Sequence, residues 1–489
     1  MHLIRRNLGW LLVSQFSTWG LSIVLLLIVP HKLGDEAFGQ LSFATVYVGF
    51  FELVAIFGTA TYLMKTVARD NESVGKYVVN ALVLKAIASV FLIAMAIGLA
   101  VLLQFDSEVT LLIGIVCFGM FLNTLNNGLM GGLQGLQRMR GSAVADVVRA
   151  YVAGVAGLII LYSGGTLPML ALAGALACFI PLAVNARFLW PLVRHHRTLD
   201  LKLWKVIVRG GLPFFMWSAL SQFYGTIDIP LLHMFSDDQT VGWYALAYRW
   251  VSMPIFFASV VGTAFLPALS ADMTHLPESF TRLANQALHL VMIVATPAAI
   301  GIALISSDFL ELLYGGEFSN AAPIMQILAL QIPIISMDIV LGTVIIAADR
   351  QRQWVIVGLV AAIFNPLLNL AAIPLSQSMF GNAAIGAAAV TVVTEIILMV
   401  GAFILRPAGV LDRATTNKLL RISLASAAMV PVLLALQPLP LAARIAAGIV
   451  TYGLASLGLR TTSLREVRSL AFGSARPDRS PAVVSVTQA

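Results

Sequence analysis

Seven ionisable side chains interrupt long stretches of the sequence that are otherwise apolar. If such a stretch crosses a lipid bilayer, a charge near its centre costs at least ~2.5–3.5 kcal/mol, so a partner or a function is needed to retain it. We therefore treat all seven as candidate site residues. They are Glu52, Lys85, Arg187, Asp228, Arg249, Asp338 and Glu395.

Three of the seven are carboxylates suited to coupling transport to an ion. Glu52 and Glu395 lie near the middle of their apolar stretches, and Asp338 lies nearer the predicted cytoplasmic side of its own stretch. Buried carboxylates bind protons or cations in secondary transporters, because loss of hydration disfavours the bare charge. We predict that these three residues couple ions. The alternative is that each only binds a hydroxyl or amide of a neighbouring helix.

Arg249 and Asp228 form a second candidate group, in two consecutive apolar stretches. At 1.5 Å of rise per residue, both lie about 10 Å below the predicted outer interface, on adjacent antiparallel helices. Equal depth allows an ion pair that locks the two helices, or a site where Arg249 meets an anionic substrate and Asp228 tunes it. Lys85 and Arg187 lie about two turns from the predicted cytoplasmic ends of their stretches, where they either reach the interface or join the substrate site.

The elements that must position these residues are membrane-spanning helices. The chain has 489 residues, 59% of them apolar and only 11% charged, against roughly 25% charged in a soluble domain. One span takes about 20 apolar residues, so the apolar stretches predict about fourteen transmembrane helices. The predicted fold class is an all-α polytopic membrane protein, without a soluble domain large enough to do chemistry alone.

An internal repeat divides the predicted helices into two sets. The tripeptide Ser-Gln-Phe at 14–16 recurs at 221–223, and Asp35, Gly39 and Ala44 recur as Asp238, Gly242 and Ala247. The copies are six spans apart, and an even number of spans gives both halves the same topology. We predict two six-helix lobes related by a pseudo-two-fold axis along the membrane normal, with a substrate cavity between them. The predicted domains are lobes at 1–200 and 201–410, an extra helix pair at 411–460 and a disordered cytoplasmic tail at 461–489.

The loop charges orient the predicted spans. With the N-terminus in the cytoplasm, 25 of the 30 Lys and Arg residues lie in inside loops and two, Lys32 and Arg444, lie outside. This asymmetry follows the positive-inside rule and places both termini in the cytoplasm. It also accounts for the net charge of +7 without nucleic acid as a partner.

A set of glycines, prolines and polar residues resembles the lipid-linked oligosaccharide flippases, of the O-antigen and exopolysaccharide translocase type. These flippases are the polysaccharide-exporting branch of the multidrug/oligosaccharidyl-lipid/polysaccharide exporter superfamily. The resemblance covers residues 1–460 in span number and loop length. The residues that carry it are Pro30, Leu33, Gly34, Phe38, Gly39, Ala44, Gly58, Arg69, Gly211, Pro213, Asp228, Gly242, Tyr244, Ala247 and Pro267.

The resemblance implies a function and a set of partners. Members of the branch flip undecaprenyl-diphosphate-linked oligosaccharide repeat units across the cytoplasmic (inner) membrane for O-antigen, capsule or exopolysaccharide synthesis. The expected partners are that glycan, membrane lipids, a polysaccharide polymerase and chain-length proteins. Arg249, Asp228, Lys85 and Arg187 then become the candidates for contacting the substrate, because guanidinium groups bind diphosphate through paired donors. No cofactor, metal or enzymatic activity is expected.

Two other functions are compatible with the same composition. A cation-coupled multidrug exporter of the same fold takes cationic substrates, so its cavity is expected to be dominantly acidic. Here the spans carry four acids against three bases, which does not separate the two transporters. A non-transporting scaffold for envelope assembly is the third reading, and it gives no reason to bear the cost of charges inside the membrane.

Overall fold

The computed structural model describes residues 2–194, 199–275 and 277–461, and every regular element in those ranges is a helix. A helix satisfies its own backbone hydrogen bonds, which an apolar chain in a bilayer requires because no water is available there. The all-α class predicted from composition is therefore confirmed. The predicted tail at 461–489 lies, except for its first residue, outside the described residues.

Eighteen α-helices follow one another along the described chain. The first nine are α1 (His2–Ile56), α2 (Thr59–Arg69), α3 (Val74–Leu102), α4 (Ser107–Gly135), α5 (Arg140–Tyr162), α6 (Leu167–Ala177), α7 (Phe179–Val193), α8 (Leu201–Thr226) and α9 (Asp228–Phe235). The second nine are α10 (Asp238–His275), α11 (Pro277–Tyr314), α12 (Ala321–Ala329), α13 (Gln331–Ala347), α14 (Gln351–Phe380), α15 (Ala383–Leu405), α16 (Arg413–Ala427), α17 (Met429–Ala435) and α18 (Leu441–Gly458).

Among the described residues, 11 helical segments are long and apolar enough to cross a membrane, or up to 12 if the bent pair α12–α13 is one span. That pair bends by 41°. Two features separate this count from fourteen: α1 runs on through a kink at Gly34, where φ is 79°, and the α8–α9 segment is not among the 11. The count of fourteen stays a prediction.

The repeated turns predicted from the sequence contact each other directly. A Cβ atom added at Gly39 would lie 1.8 Å from the Asp238 carbonyl oxygen, and one added at Gly242 would lie 2.1 Å from the Asp35 carbonyl oxygen. Each copy of the repeat thus packs its glycine against the aspartate backbone of the other copy. Such a reciprocal contact is what a two-fold relation produces, although the two-lobe symmetry itself stays a prediction.

A second close contact joins the two halves where the chain breaks between α1 and α2. Phe57 and Gly58 both have left-handed backbone conformations, with φ of 47° and 64°. A Cβ at Gly58 would lie 2.4 Å from the Gly211 carbonyl oxygen of α8, and one at Gly211 would lie 2.5 Å from the Phe57 carbonyl oxygen. Only glycine allows the backbones of α2 and α8 to approach this closely.

The C-terminal helices α16, α17 and α18 pack against α11. Arg444 lies in the first turn of α18 with 2% of its side chain exposed, and it forms an ion pair with Asp308 of α11. The sequence placed Arg444 in an outside loop, and that assignment is wrong because the helix begins at Leu441. This ion pair holds α18 against α11.

Candidate functional site

Arg249 lines a cavity between α1 and α10. The cavity has a volume of about 480 Å³, and its walls are mainly apolar. The Arg249 side chain is exposed to this space, with its guanidinium carbon 4.8 Å above the centre of the Phe38 ring. The other lining residues include Trp19, Ser22, Leu26, Pro30 and Met253. A guanidinium in apolar surroundings attracts an anion strongly, because little water competes for it.

Hydrogen bonds from α11 fix the wall of this cavity. The Tyr314 hydroxyl donates to the Leu26 carbonyl oxygen at 2.8 Å and accepts from Trp250 Nε1 at 2.9 Å. Leu26 faces the cavity and Trp250 follows Arg249 in the chain, so the contacts join α1, α10 and α11 around the arginine. A buried tyrosine with two partners holds its neighbours in one geometry.

Asp228 lies apart from Arg249, in a group of neutral polar side chains. It is 3% exposed and accepts hydrogen bonds from Asn369 Nδ2 at 2.7 Å, the Tyr244 hydroxyl at 2.7 Å and the Thr391 hydroxyl at 2.9 Å. These partners come from α14, α10 and α15. Within the described chain no ion pair joins Asp228 to Arg249, so the structure does not show the hairpin pair that was one of the two alternatives.

Glu395 and Asp338 form a second acidic group in the same half of the chain. Glu395 is 2% exposed and accepts a hydrogen bond from the Tyr224 hydroxyl, while its second oxygen has no partner in the described residues. Asp338 is 4% exposed, and neither of its oxygens has a hydrogen-bond partner there. Asp338 lies on α13 and Glu395 on α15, and these two helices pack against each other. Two adjacent, unsatisfied carboxylates require a proton or a cation to neutralise them.

Glu52 and Lys85 lie together in the first half of the chain. Lys85 is 1% exposed, and its Nζ donates to the Ile56 carbonyl oxygen and to Asn127 Oδ1, both at 3.2 Å. Glu52 accepts a hydrogen bond from Asn123 of α4, the helix that Lys85 also binds, and no ion pair joins Glu52 to Lys85 in the described residues. This cluster contains both signs of charge. The amino group of Lys85 is enclosed in this conformation. Its contact with the substrate stays a prediction.

Arg187 is the remaining predicted site residue, and the structure does not bring it to the others. It lies on α7 with an exposed side chain, next to the exposed Phe188. Neither the cavity beside Arg249 nor the cluster around Lys85 includes it. Its role in substrate binding stays a prediction.

Several residues of the site were not singled out by sequence reasoning. Thr391 and Asn123 each bind a carboxylate that was predicted, and each lies four residues from another polar group on the same helix. Thr391 precedes Glu395 on α15, and Asn123 precedes Asn127 on α4. Residues spaced i and i+4 share a helix face, so polar pairs at this spacing in apolar helices are the signal that would have found both.

Comparisons with known proteins converge on one group. The family described as polysaccharide biosynthesis protein matches residues 4–273, and the family described as lipid II flippase MurJ matches residues 167–455. The chain is 20% identical to the probable low-salt glycan biosynthesis flippase Agl15 of Haloferax volcanii, over 76% of this chain and 77% of the relative. It is 22% identical to the succinoglycan biosynthesis transport protein ExoT of Rhizobium meliloti, over 67% and 66%.

A solved structure of the lipid II flippase MurJ in an inward closed conformation has the same fold. The TM-score is 0.77 at 16% sequence identity, and the alignment covers 92% of this chain and 99% of the flippase. At that identity the similarity concerns the fold alone.

Proposed function

The chain belongs to the polysaccharide biosynthesis protein family, within the flippase branch of the multidrug/oligosaccharidyl-lipid/polysaccharide exporter superfamily, and from that premise we propose that it flips lipid-linked oligosaccharides across a membrane. The glycans serve polysaccharide biosynthesis, and the carrier lipid we propose is undecaprenyl diphosphate. The protein works as a secondary transporter, and no enzymatic step is required of it. The names of its relatives, a glycan flippase and a succinoglycan transport protein, support this substrate class.

The observation that carries the proposal is the guanidinium of Arg249 in an otherwise apolar cavity. A diphosphate presents several oxygens at the spacing of the guanidinium fork, so one arginine can hold it through two parallel hydrogen bonds. The apolar walls of α1 and α10 suit the polyprenyl chain that the diphosphate carries. A cationic drug would meet a like charge in this cavity, so the geometry favours the lipid diphosphate over the substrate of a multidrug exporter.

Ion coupling is assigned to the acids of the second half. Asp228 has three neutral donors and no cationic partner in the described part of the chain, and Asp338 and Glu395 keep unsatisfied oxygens. Carboxylate, amide and hydroxyl oxygens are also the ligands that hard cations prefer. We assign protons or sodium to this group. Glu52, which has a lysine beside it, is the less suited of the predicted coupling residues.

The setting of the protein follows from the same proposal. The many apolar helices make it a multi-pass membrane protein, and the cytoplasmic membrane is where lipid-linked repeat units are made. The charge asymmetry of the loops supports cytoplasmic termini. A polymerase and chain-length proteins on the outer side are the proposed partners, since they would consume the flipped repeat units.

The test is glycan flipping by the purified protein in proteoliposomes. Undecaprenyl-diphosphate glycan is supplied in one leaflet, and its appearance in the other is measured with a membrane-impermeant glycosidase. We expect Arg249→Ala to lose nearly all flipping and Arg249→Lys to lose most of it, because an ammonium cannot form the bidentate contact. Arg352→Ala, at an exposed arginine of α14, is the matched control and should match wild type. Equal rates for all four proteins would refute the role of Arg249, and drug efflux without flipping would refute the function.

A further inference from the structure

The break between α1 and α2 leaves backbone groups that need partners. The last carbonyl groups of a helix receive no hydrogen bond from within the helix, so side chains commonly donate to them. At Ile56 the carbonyl oxygen accepts from the Thr59 hydroxyl at 2.8 Å and from Lys85 Nζ at 3.2 Å. The lysine also binds Asn127 of α4. Lys85 therefore ties the end of α1 to α4 at the residue that precedes the break.

This break is also the point where the first half of the chain meets α8. Gly58 and Gly211 approach with their backbones in contact, as described above. The Phe57 ring stacks on Phe215 of α8, with the ring centres 4.5 Å apart. A small displacement of residues 57–58 would separate α2 from α8, because the backbones and the stacked rings are already in close contact.

The two sides of the contact between the halves differ. On one side α1 and α10 enclose the cavity that holds Arg249, and on the other side α2 and α8 meet at the glycine pair without a gap. Lys85 is almost fully enclosed behind the closed side, so it cannot reach a molecule in the cavity in this conformation. Its contacts act on the position of the break.

We propose that Lys85 is a positioning residue: by binding the Ile56 carbonyl at the α1–α2 break, it holds α2 against α8 and keeps this side of the transporter closed. The lipid-linked substrate then has access only on the α1–α10 side. The inference rests on the proposed function for the identity of the substrate. The closure of α2 against α8 does not depend on which substrate the protein carries.

The closure can be measured without any substrate. Cysteines replace Phe57 and Phe215 in a protein whose native Cys117 and Cys178 are changed to alanine, and the rate of disulfide formation is followed in membranes. The rate is expressed per molecule of inserted protein. We expect Lys85→Met to lower it about tenfold, the factor that corresponds to one hydrogen bond from a charged donor. Lys418→Met, at an exposed lysine of α16, is the matched control and should leave the rate unchanged.

Two further variants separate positioning from charge balance. If Lys85 only neutralises Glu52, adding Glu52→Gln to Lys85→Met should restore the disulfide rate, and that recovery would overturn the proposal. Thr59→Val removes the other donor to the Ile56 carbonyl without changing any charge, so it also serves if Lys85→Met is poorly inserted. We expect it to lower the rate two- to threefold, roughly half of the hydrogen-bond energy. An unchanged rate in Lys85→Met, or in Thr59→Val where Lys85→Met is not inserted, would refute the role of this carbonyl.

Glycan flipping is then measured on the same variants. Slower closure together with slower flipping supports the whole inference. If wild type flips no glycan while Lys85→Met still slows the disulfide, the proposed function fails and the positioning role stands.

Discussion

The polar cluster around Glu52 and Lys85 carries both signs of charge, whereas the buried residues Asp228, Asp338 and Glu395 carry one. Lys85 lies with Glu52 among the amides of α4, and each charge has a hydrogen-bond partner. Asp228, Asp338 and Glu395 have only neutral partners, and none of them forms an ion pair in the part of the chain that the structure describes.

The difference has a physical consequence. Opposite charges within one cluster offset each other, so the cluster around Glu52 and Lys85 needs little neutralisation from outside. A buried group of acids is stable only when protons or cations neutralise it, so its stability depends on what it binds. The comparison therefore assigns structure to the first cluster and ion coupling to the second.

The largest effect is expected when Asp228 and Arg249 are changed together. If they formed a pair, the double variant Asp228→Asn with Arg249→Gln would recover what either single change loses. The structure gives them separate partners, so we expect the double variant to flip glycan about 100-fold more slowly than wild type, a loss of ~3 kcal/mol of charge-assisted hydrogen bonds. Flipping per folded molecule in proteoliposomes is the measurement. Recovery to the wild-type rate would show that the two act only on each other.

Glu395 and Glu52 give a direct comparison of the two clusters. Glu395→Gln removes a protonatable group while keeping its shape, so we expect flipping to fall about tenfold and to lose its dependence on pH between about 6 and 8. Glu52→Gln leaves Lys85 without its countercharge, so we expect less protein in the membrane, with the flipping rate per molecule still dependent on pH. Flux across a pH series, normalised to protein level, tests both. A pH-independent rate in Glu52→Gln and not in Glu395→Gln would reverse the assignment.

Asp338 should show that an ion-coupling acid lowers stability. Neither of its oxygens has a hydrogen-bond partner in the described residues, so the folded protein bears the cost of burying it. We expect Asp338→Leu to raise the free energy of unfolding by about 1–2 kcal/mol while slowing transport, a common exchange between stability and activity. The unfolding transition in detergent measures the first effect and proteoliposome flux the second. Asp228→Leu is the matched comparison, and it should destabilise because three donors lose their acceptor.

The sequence was sufficient to find the groups but not to pair them. Spacing along a helix gives depth, so it placed Asp228 and Arg249 at the same height. Which way a side chain points depends on how the helices are rotated against each other. Tyr244, which binds Asp228, and Arg249 are five residues apart on α10 and so point about 140° apart around its axis. Arg249 therefore faces a different space from Asp228, although the two lie at the same predicted depth.

Backbone geometry was the other part that the sequence did not give. The repeat identified Gly39 and Gly242 as corresponding residues, yet only the structure shows that they touch. The break at Phe57–Gly58 lies inside an apolar stretch without proline, and one of its two left-handed residues is a phenylalanine, which rarely adopts that conformation. Tertiary contacts with α3 and α8 stabilise the break, and such contacts between distant segments leave no local signal.

The smallest effect is expected at Asp412, an exposed acid of the second half that serves as the control for the three buried ones. It caps the N-terminus of α16, and its carboxylate accepts a hydrogen bond from the Thr415 backbone amide at 2.7 Å. Hydrogen bonds from Thr415, aided by the charge of Lys418, lower the pKa of Asp412 below its ordinary value. A lowered pKa means that the cap is fully effective above the pKa of the unfolded chain, about 3.9, and is lost as pH falls through the lower, folded value.

Since water screens an exposed group, we expect Asp412→Ala to reduce the free energy of unfolding by only about 0.5 kcal/mol at pH 7 and to leave flipping unchanged. The difference from wild type should shrink as pH falls below the unfolded value. Glu311→Ala, at an exposed acid of α11, should change neither quantity. If Asp412→Ala slowed flipping as much as Glu395→Gln, an acid would not need to be buried to act in transport, and the contrast between the clusters would lose its basis.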